Sequence, residues 1–306
     1  MIEATNLTKS YASTVAVDSI SFRAEPGIVT GFLGPNGAGK STTMRMLVGL
    51  DKPTSGRITV DGREYREHAA PLHEVSALLD AKAVHPQRSA RDHLRILART
   101  HGITDRRVDE VLDFAGLTRV ARKRVGGFSL GMGQRVGIAA ALLADPKVLV
   151  LDEPVNGLDP EGVTWIRDLL RHLAGEGRTV LLSSHLMAEM AQTADRVIVL
   201  GKGRIVKDAS LDEIVHGSKA ATTRVRSTDL DRLVPALQAL GASVTRPEPE
   251  TALVGGPTPQ QIAAIALETR AAIFEIAAVE TTLEEAFFDL THDSVEYRTP
   301  TEWTSQ

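Results

Sequence analysis

Eight consecutive residues, Gly34-Pro35-Asn36-Gly37-Ala38-Gly39-Lys40-Ser41, place glycines, a lysine and a hydroxyl at the spacing of a phosphate-binding loop. Glycines let successive backbone N–H groups turn inward with no Cβ in the way. A helix N-terminus adds unsatisfied donors and the positive end of its dipole. Such a loop, with Thr42 next along the chain, cradles the phosphates of a nucleoside triphosphate. Lys40 then reaches the β- and γ-phosphates, and the Ser41 hydroxyl ligates Mg²⁺. Without context the same residues read as a glycine-rich turn with a surface lysine, and even in context the loop alone admits kinases and GTPases.

Later residues narrow the chemistry. Val148-Leu149-Val150-Leu151-Asp152 is an apolar run ending in a carboxylate, followed at once by Glu153. Asp152 suits a metal ligand beside Ser41, and Glu153 suits a group that orients the attacking water or takes its proton. Alone, Asp152-Glu153-Pro154 is also an ordinary acidic turn. Ser129 and Gly131 open an apolar helix, a second anion-facing N-terminus whose plainest reading is a capping serine. His185 directly follows an apolar run at 180–183.

Holding these groups takes a strand, a loop and a helix. Residues 29–33 form a short apolar strand entering the glycine-rich segment, and residues 41–50 carry Met44, Leu47 and Val48 at helical spacing. Residues 2–25, with alternation through Ser19-Ile20-Ser21-Phe22-Arg23, predict antiparallel strands, and 56–60 predicts another before the Asp61-Gly62 turn. Residues 87–128 turn helical, with Ser89 and Asp92 as a capping pair ahead of Leu94, Leu97 and Ala98, and predict an inserted lobe. Strand signals return at 148–151, 179–182 and 196–200, between helices beginning near Pro160 and Leu186. Strands alternating with helices predict a mainly parallel sheet covered on both faces.

Past Gly217 the texture changes, and Ser218-Lys219-Ala220-Ala221-Thr222 reads as a linker. Helices are predicted from the stripe Leu230, Leu233, Val234, Leu237, Leu240, from the cap Thr258-Pro259-Gln260-Gln261, and from Leu283, Ala286, Phe287 and Leu290 after Thr281 and Thr282. With strands at 223–226, 242–245, 252–255 and 272–277, these make a small α+β domain, and the polar end from Asp293 reads as frayed. The expected division is a nucleotide-binding domain at 1–217 and an accessory domain at 218–306.

The 306 residues and net charge of −4 carry no electrostatic footprint for nucleic acid. Without cysteine there are no disulfides or thiolate metal sites, as suits a reducing compartment. No apolar run approaches the roughly 20 residues that span a bilayer, and Met1-Ile2-Glu3-Ala4 lacks the pattern of an export signal. Work at a membrane would therefore go through a partner on the cytoplasmic side.

Over about residues 2–215 the chain resembles the ABC ATPase family. Phe128-Ser129-Leu130-Gly131-Met132-Gly133-Gln134-Arg135 resembles its signature segment, Asn156-Gly157-Leu158-Asp159 the stretch that crosses its dimer interface, and His185 its switch histidine. The resemblance implies an α/β fold: a P-loop NTPase core with an antiparallel β subdomain and a helical lobe, plus the small C-terminal α+β domain. It implies ATP and Mg²⁺ as cofactors and a homodimer in which Ser129, Gly131 and Asp159 contact the γ-phosphate side of the partner's nucleotide. Tyr11 resembles the aromatic that stacks on adenine, while Glu153, His185 and Lys40 take the catalytic positions. Two departures stand out, the pair Leu130 and Met132 within the signature, and Asp80 where the family commonly has a glutamine. As a third metal ligand beside Ser41 and Asp152, Asp80 would add negative charge near the γ-phosphate. The pattern as a whole, including Leu283-Glu284-Glu285-Ala286-Phe287, looks most like ATPase subunits of bacterial ABC-2 drug and antibiotic exporters. That implies an integral membrane permease on a separate chain, a position at the cytoplasmic face of the membrane, and no nucleic-acid partner. The alternative is a non-transport ABC ATPase acting on nucleic acid or the ribosome. A kinase or GTPase leaves the Ser129 segment and His185 unexplained.

Overall fold

The computed structural model describes residues 1–80, 83–217 and 222–279, and the chain divides into two compact units, one at 1–209 and one beginning at Ser210. The linker at 218–221, the helix expected from Thr281 and the polar end lie outside the described residues.

The first unit opens with β1 (Ile2–Tyr11) and β2 (Thr14–Ala24), an antiparallel pair that β4 (Ser55–Val60) extends into a three-stranded sheet ordered β2-β1-β4. Alternation in β2 turns Ile20, Phe22 and Ala24 inward. Edge-to-face contact between Phe22 and Phe32, with ring centroids 5.0 Å apart, ties this sheet to the next.

The larger sheet contains β3 (Val29–Leu33), β5 (Val75–Leu78), β6 (Val148–Asp152), β7 (Thr179–Ser184), β8 (Arg196–Gly201) and β9 (Arg204–Ser210), in the order β5-β6-β7-β3-β8-β9. From β5 through β8 the pairs are parallel. All five residues of β3 are buried, and so are all six of β7, as expected for strands covered on both faces. Register matters for function here. Asp152 lies opposite Ser183, and Leu33, the last residue before the glycine loop, lies opposite Ser184. The carboxyl ends of β6, β7 and β3 therefore open onto one place, where α/β sheets bind ligands.

Around this sheet run α1 (Lys40–Leu47), α2 (Pro71–Glu74), α3 (Ala90–Thr100), α4 (Asp105–Phe114), α5 (Leu130–Leu142), α6 (Pro160–Gly175) and α7 (Met187–Thr193). The lobe expected at 87–128 comprises α3, α4 and short 3₁₀ turns at Thr118–Val120 and Val125–Gly127. Ser89 caps α3, its Oγ accepting from the Asp92 N–H at 3.1 Å. The helix expected over 41–50 stops at Leu47 because Gly49 takes φ +70° and turns the chain outward, leaving Leu50 exposed. Strand β5, which patterning did not single out, pairs with β6 at the edge of the sheet.

The second unit contains α8 (Leu211–Gly217), α9 (Leu230–Ala239), α10 (Pro259–Thr269) and an antiparallel sheet of β10 (Thr222–Ser227), β11 (Ser243–Glu248), β12 (Thr251–Gly255) and β13 (Ile273–Val279), ordered β11-β12-β10-β13. One face of that sheet, carrying Val225, Ala252 and Val254, forms a core with Leu230, Leu233 and Leu237 of α9 and Ile262 and Ile265 of α10. The capping box expected at α10 is present: Thr258 Oγ1 accepts from the Gln261 N–H, and the Gln261 side chain accepts from the Thr258 N–H at 2.8 Å.

Candidate functional site

Gly39 caps α1 at φ +101°, and a Cβ there would stand 2.7 Å from the Ala16 carbonyl oxygen, so both conformation and space require glycine. A Cβ on Gly34 would collide with the Leu200 carbonyl oxygen of β8, which fixes how closely the loop approaches the sheet. Asn36 and Gly37 form the exposed tip, Ala38 is buried and Pro35 is half-buried. Ser41 is exposed on the first turn of α1, and Thr42 is half-buried beside it.

Lys40 is buried, and its Nζ donates to the Gly34 carbonyl at 2.7 Å and the Pro35 carbonyl at 3.2 Å. Glu153 Oε1 lies 3.7 Å from the same nitrogen. Burial pulls the Lys40 pKa below its usual value, opposed by the negative charges of Glu153 and Asp152. Phosphate oxygens entering the loop would compete with these carbonyls for a cation the fold has already desolvated and positioned.

Glu153 follows β6 and has φ +49°, a left-handed conformation that costs a side-chain-bearing residue about 1 kcal/mol. Three contacts hold it there. Its N–H donates to Ser183 Oγ at 3.0 Å, its carbonyl accepts from Gln134 Nε2 at 3.3 Å, and its Oε2 lies 2.8 Å from His185 Nδ1. The same Ser183 hydroxyl donates to Asp152 Oδ1. A carboxylate oxygen on Asp152 and the Ser41 hydroxyl are hard donors of the type Mg²⁺ prefers. Among the described residues no group of three or more His, Cys, Asp or Glu is placed to hold a metal ion.

Sequence reasoning did not find Ser183 or Glu189, and it included Gln134 in the signature segment without assigning it a contact. Glu189 stands in the first turn of α7, where a glutamate commonly reaches back to the cap N–H. That N–H, on Leu186, already donates to Ser184 Oγ at 2.9 Å. One Glu189 carboxylate oxygen is buried without a hydrogen-bond partner, and burial holds its pKa above the usual carboxylate value, with His185 opposing and Glu153 reinforcing. The one available signal was position, at the end of β7 for Ser183 and four residues past His185 for Glu189.

The remaining expected residues fall into three places. Tyr11 is exposed at the end of β1, and its hydroxyl donates at 2.8 Å to Asp51, which also accepts from Arg45 Nε at 2.7 Å. Because Arg45 belongs to α1, the shared Asp51 sets the Tyr11 ring beside the phosphate-loop helix. Ser129 caps α5, its Oγ accepting from the Met132 N–H at 3.2 Å, and Asp159 caps α6, accepting from the Gly162 N–H at 2.9 Å. These two caps are neighbours, since a Cβ on Gly131 would lie 2.9 Å from the Gly157 carbonyl oxygen. Asp80 lines a groove of about 510 Å³ with Arg45, Leu50, Leu79, Val84 and His93. The structure thus gathers Lys40, Asp152, Glu153 and His185 into one cluster, Ser129, Gly131 and Asp159 into a second, and sets Asp80 in the groove.

A phosphate-binding loop at a strand-to-helix turn, facing two consecutive carboxylates at the end of β6, defines a P-loop nucleoside triphosphatase of the α/β class. Comparison with known proteins narrows this further. The ABC transporter family profile matches residues 17–156, and a domain of unknown function matches 221–284. The chain is 42% identical over 217 residues to a bacitracin transport ATP-binding protein of Bacillus licheniformis, covering 70% of this chain and 71% of that one. It is 34% identical over 299 residues to a daunorubicin resistance ATP-binding protein of Streptomyces coeruleorubidus, covering 93% and 94%. A dimeric ATP-binding cassette solved in a post-hydrolysis state with ADP and Pi superposes with a TM-score of 0.64 at 26% identity, over 69% of this chain and 99% of that one. The chain belongs to the ABC transporter ATP-binding proteins, and its chemistry is ATP binding and hydrolysis. Proteins of this family work with a membrane permease and form dimers. Among the described residues no helix is long and apolar enough to cross a membrane.

Proposed function

We propose that this chain is the ATP-driven motor of an exporter for drug-like or antibiotic-like small molecules, working as a homodimer at the cytoplasmic face of the membrane with a permease on a separate chain. The observation that carries this reading is the convergence of Lys40, Asp152, Glu153 and His185 at adjoining strand ends. The chain that holds them is similar, over nearly its whole length, to a daunorubicin resistance ATP-binding protein. Residues 1–217 serve as the nucleotide-binding domain and 218–306 as an accessory domain that regulates or supports the dimer.

In this reading the loop from Gly34 to Thr42 binds the phosphates, Tyr11 faces the adenine, and Lys40 meets the β- and γ-phosphates. Ser41 and Asp152, with Asp80 as a further candidate, hold Mg²⁺, which would neutralise charge on the transferring phosphoryl group. Glu153 orients the attacking water and accepts its proton, held in place by Ser183 and Gln134. His185, now paired with Glu153, is placed to contact the γ-phosphate once a nucleotide is bound. Ser129, Gly131 and Asp159 form the surface offered to the partner subunit's nucleotide. The groove holding Asp80 and the exposed Leu50 is where a cytoplasmic segment of the permease docks.

Two measurements test this. Glu153→Gln retains ATP binding and loses turnover; unchanged steady-state hydrolysis would overturn the site assignment. The chain co-purifies with a multi-span membrane protein, whereas co-sedimentation with ribosomes instead would overturn the transport reading.

A further inference from the structure

The chain carries a net charge of −4, yet Arg119, Arg122, Lys123 and Arg124 bring four cations into six residues. All four are exposed, and no ion pair engages any of them among the described residues. Backbone contacts bind this segment to the start of α3. The Arg91 N–H donates to the Ala121 carbonyl at 2.8 Å, the Val125 N–H to the Arg88 carbonyl at 2.9 Å, and Ser89 bridges Arg124. Arg88, Arg91 and Arg95 thereby join the same surface. Arg91 pairs with Asp109 and Arg95 with Asp105. Counting Asp92 in the cleft and Asp113, which accepts from Thr118 beside Arg119, seven cations face four carboxylates. Arg91, Arg95 and Arg122 line a cleft of about 380 Å³ with Ser89 and Asp92, and Arg91 Nε is buried there without a hydrogen-bond partner.

This surface adjoins the groove assigned above to the permease. Val84 and His93 line that groove, the Pro86 carbonyl accepts from the Gly126 N–H at 2.9 Å, and the charge of Arg88 bears on His93. None of the large exposed apolar side chains of the described residues belongs to the segment 119–127 or to 88–91. Arginine alone would also suit a protein interface, but such an interface packs its arginines around an aromatic core, and neither segment exposes an aromatic side chain. Clustered, exposed cations, with Ile96 beside Arg95 as the one large exposed apolar side chain next to them in sequence, fit the diffuse negative charge of a lipid leaflet.

We propose that the surface formed by Arg119, Arg122, Lys123 and Arg124 with Arg88, Arg91 and Arg95 docks onto the anionic phospholipid headgroups of the membrane that holds the permease. The idea rests on the transporter reading for its location, but it is tested without the permease. Attraction of about fivefold per cation near an anionic surface makes the loss of four a reduction of two orders of magnitude or more at low salt. It also makes binding fall steeply as salt shortens the screening length.

The test is flotation of the full chain with vesicles of phosphatidylglycerol and phosphatidylcholine, against phosphatidylcholine alone. Wild type floats with the anionic vesicles at low salt, and R119Q/R122Q/K123Q/R124Q does not, while keeping wild-type ATPase activity and melting temperature. R57Q/R63Q/R171Q/R232Q, which removes four exposed cations elsewhere, floats as wild type does. Equal binding to neutral vesicles, or an unimpaired fourfold variant, overturns the proposal. So does binding of inorganic phosphate at the cleft without vesicle binding, which would make it a free-anion site. Loss of permease co-purification in the fourfold variant, with no vesicle binding by wild type, would assign the surface to an acidic protein segment and equally overturn it.

Discussion

Replacing Ser183 with alanine removes one hydroxyl that serves two residues of the proposed catalytic pair. Ser183 is fully buried, accepts from the Glu153 N–H at 3.0 Å and donates to Asp152 Oδ1. Alanine leaves the Glu153 N–H without its acceptor, which costs about 1–3 kcal/mol, and deprives a carboxylate of a donor worth about 1.5–3 kcal/mol. The two losses share one atom and do not add fully, so the expected destabilisation is about 2–4 kcal/mol, a fall of roughly 5–15 °C in melting temperature for a unit of this size. The catalytic effect exceeds the binding effect. Glu153 is held at φ +49° by contacts of which Ser183 supplies one. A released backbone displaces the carboxylate, and misplacement of about 1 Å lowers turnover on the order of a hundredfold. Lys40 stays anchored by the Gly34 and Pro35 carbonyls, so ATP affinity changes by less than about threefold. Thermal melting, steady-state hydrolysis and fluorescent-nucleotide titration read the three quantities separately. Ser183→Thr keeps the hydroxyl and serves as the control. A Ser183→Ala protein with wild-type turnover and an unmoved melting temperature would refute the reasoning.

Further expectations concern the loop, a buried carboxyl and the lobe. Gly34→Ala drives a Cβ into the Leu200 carbonyl, so nucleotide binding is lost or the protein fails to accumulate, and tight binding by a folded variant would contradict the packing argument. Glu189 binds its proton more tightly folded than unfolded, because burial raises its pKa. Stability therefore falls as pH rises from the ordinary glutamate value of about 4.3 through the folded value, and Glu189→Gln removes that decline. Denaturant titrations at several pH values decide, a constant offset between variant and wild type counting against it. Arg135 stacks 4.5 Å from the Trp165 ring on α6 and donates to the Ala115 carbonyl at 3.1 Å. Arg135→Gln should cost about 1–2 kcal/mol by loosening α5 from α6 and the end of α4, and unchanged thermal unfolding would remove it as a tie between them.

What the sequence disclosed follows the range of the interactions involved. The phosphate loop, the cap at Ser89 and the capping box at Thr258 are written in neighbouring residues, so their spacing carries the geometry with it. Strand register is non-local. Nothing in residues 148–153 says that Ser183 will stand opposite Asp152, because the parallel pairing joins segments about thirty residues apart through α6. Gln134 stands in the signature segment, but its contact with the Glu153 carbonyl crosses 19 positions and is hidden for the same reason. Spacing carries α1 on to Leu50 because Val48 and Leu50 continue an apolar pattern, which the left-handed Gly49 overrides.

The non-local contacts also explain why Glu153 can be both strained and fixed. A left-handed residue at a strand end would relax if its only restraint were its own carboxylate. Here Ser183 from β7, Gln134 from α5 and His185 ahead of α7 converge on it from three separate elements. Two of these bind its backbone, and only His185 engages the carboxylate by a hydrogen bond, with Lys40 nearby as counter-charge. The backbone position is therefore set by the fold, while the carboxylate is held by partners that a bound triphosphate would itself attract. Because Gln134 lies three residues past Gly131, the cluster formed by Ser129, Gly131 and Asp159 is mechanically linked to Glu153 within one chain. Displacement of α5 by a partner subunit would pull on the carbonyl of the residue proposed to position water, and dimer closure and hydrolysis would then share a physical lever.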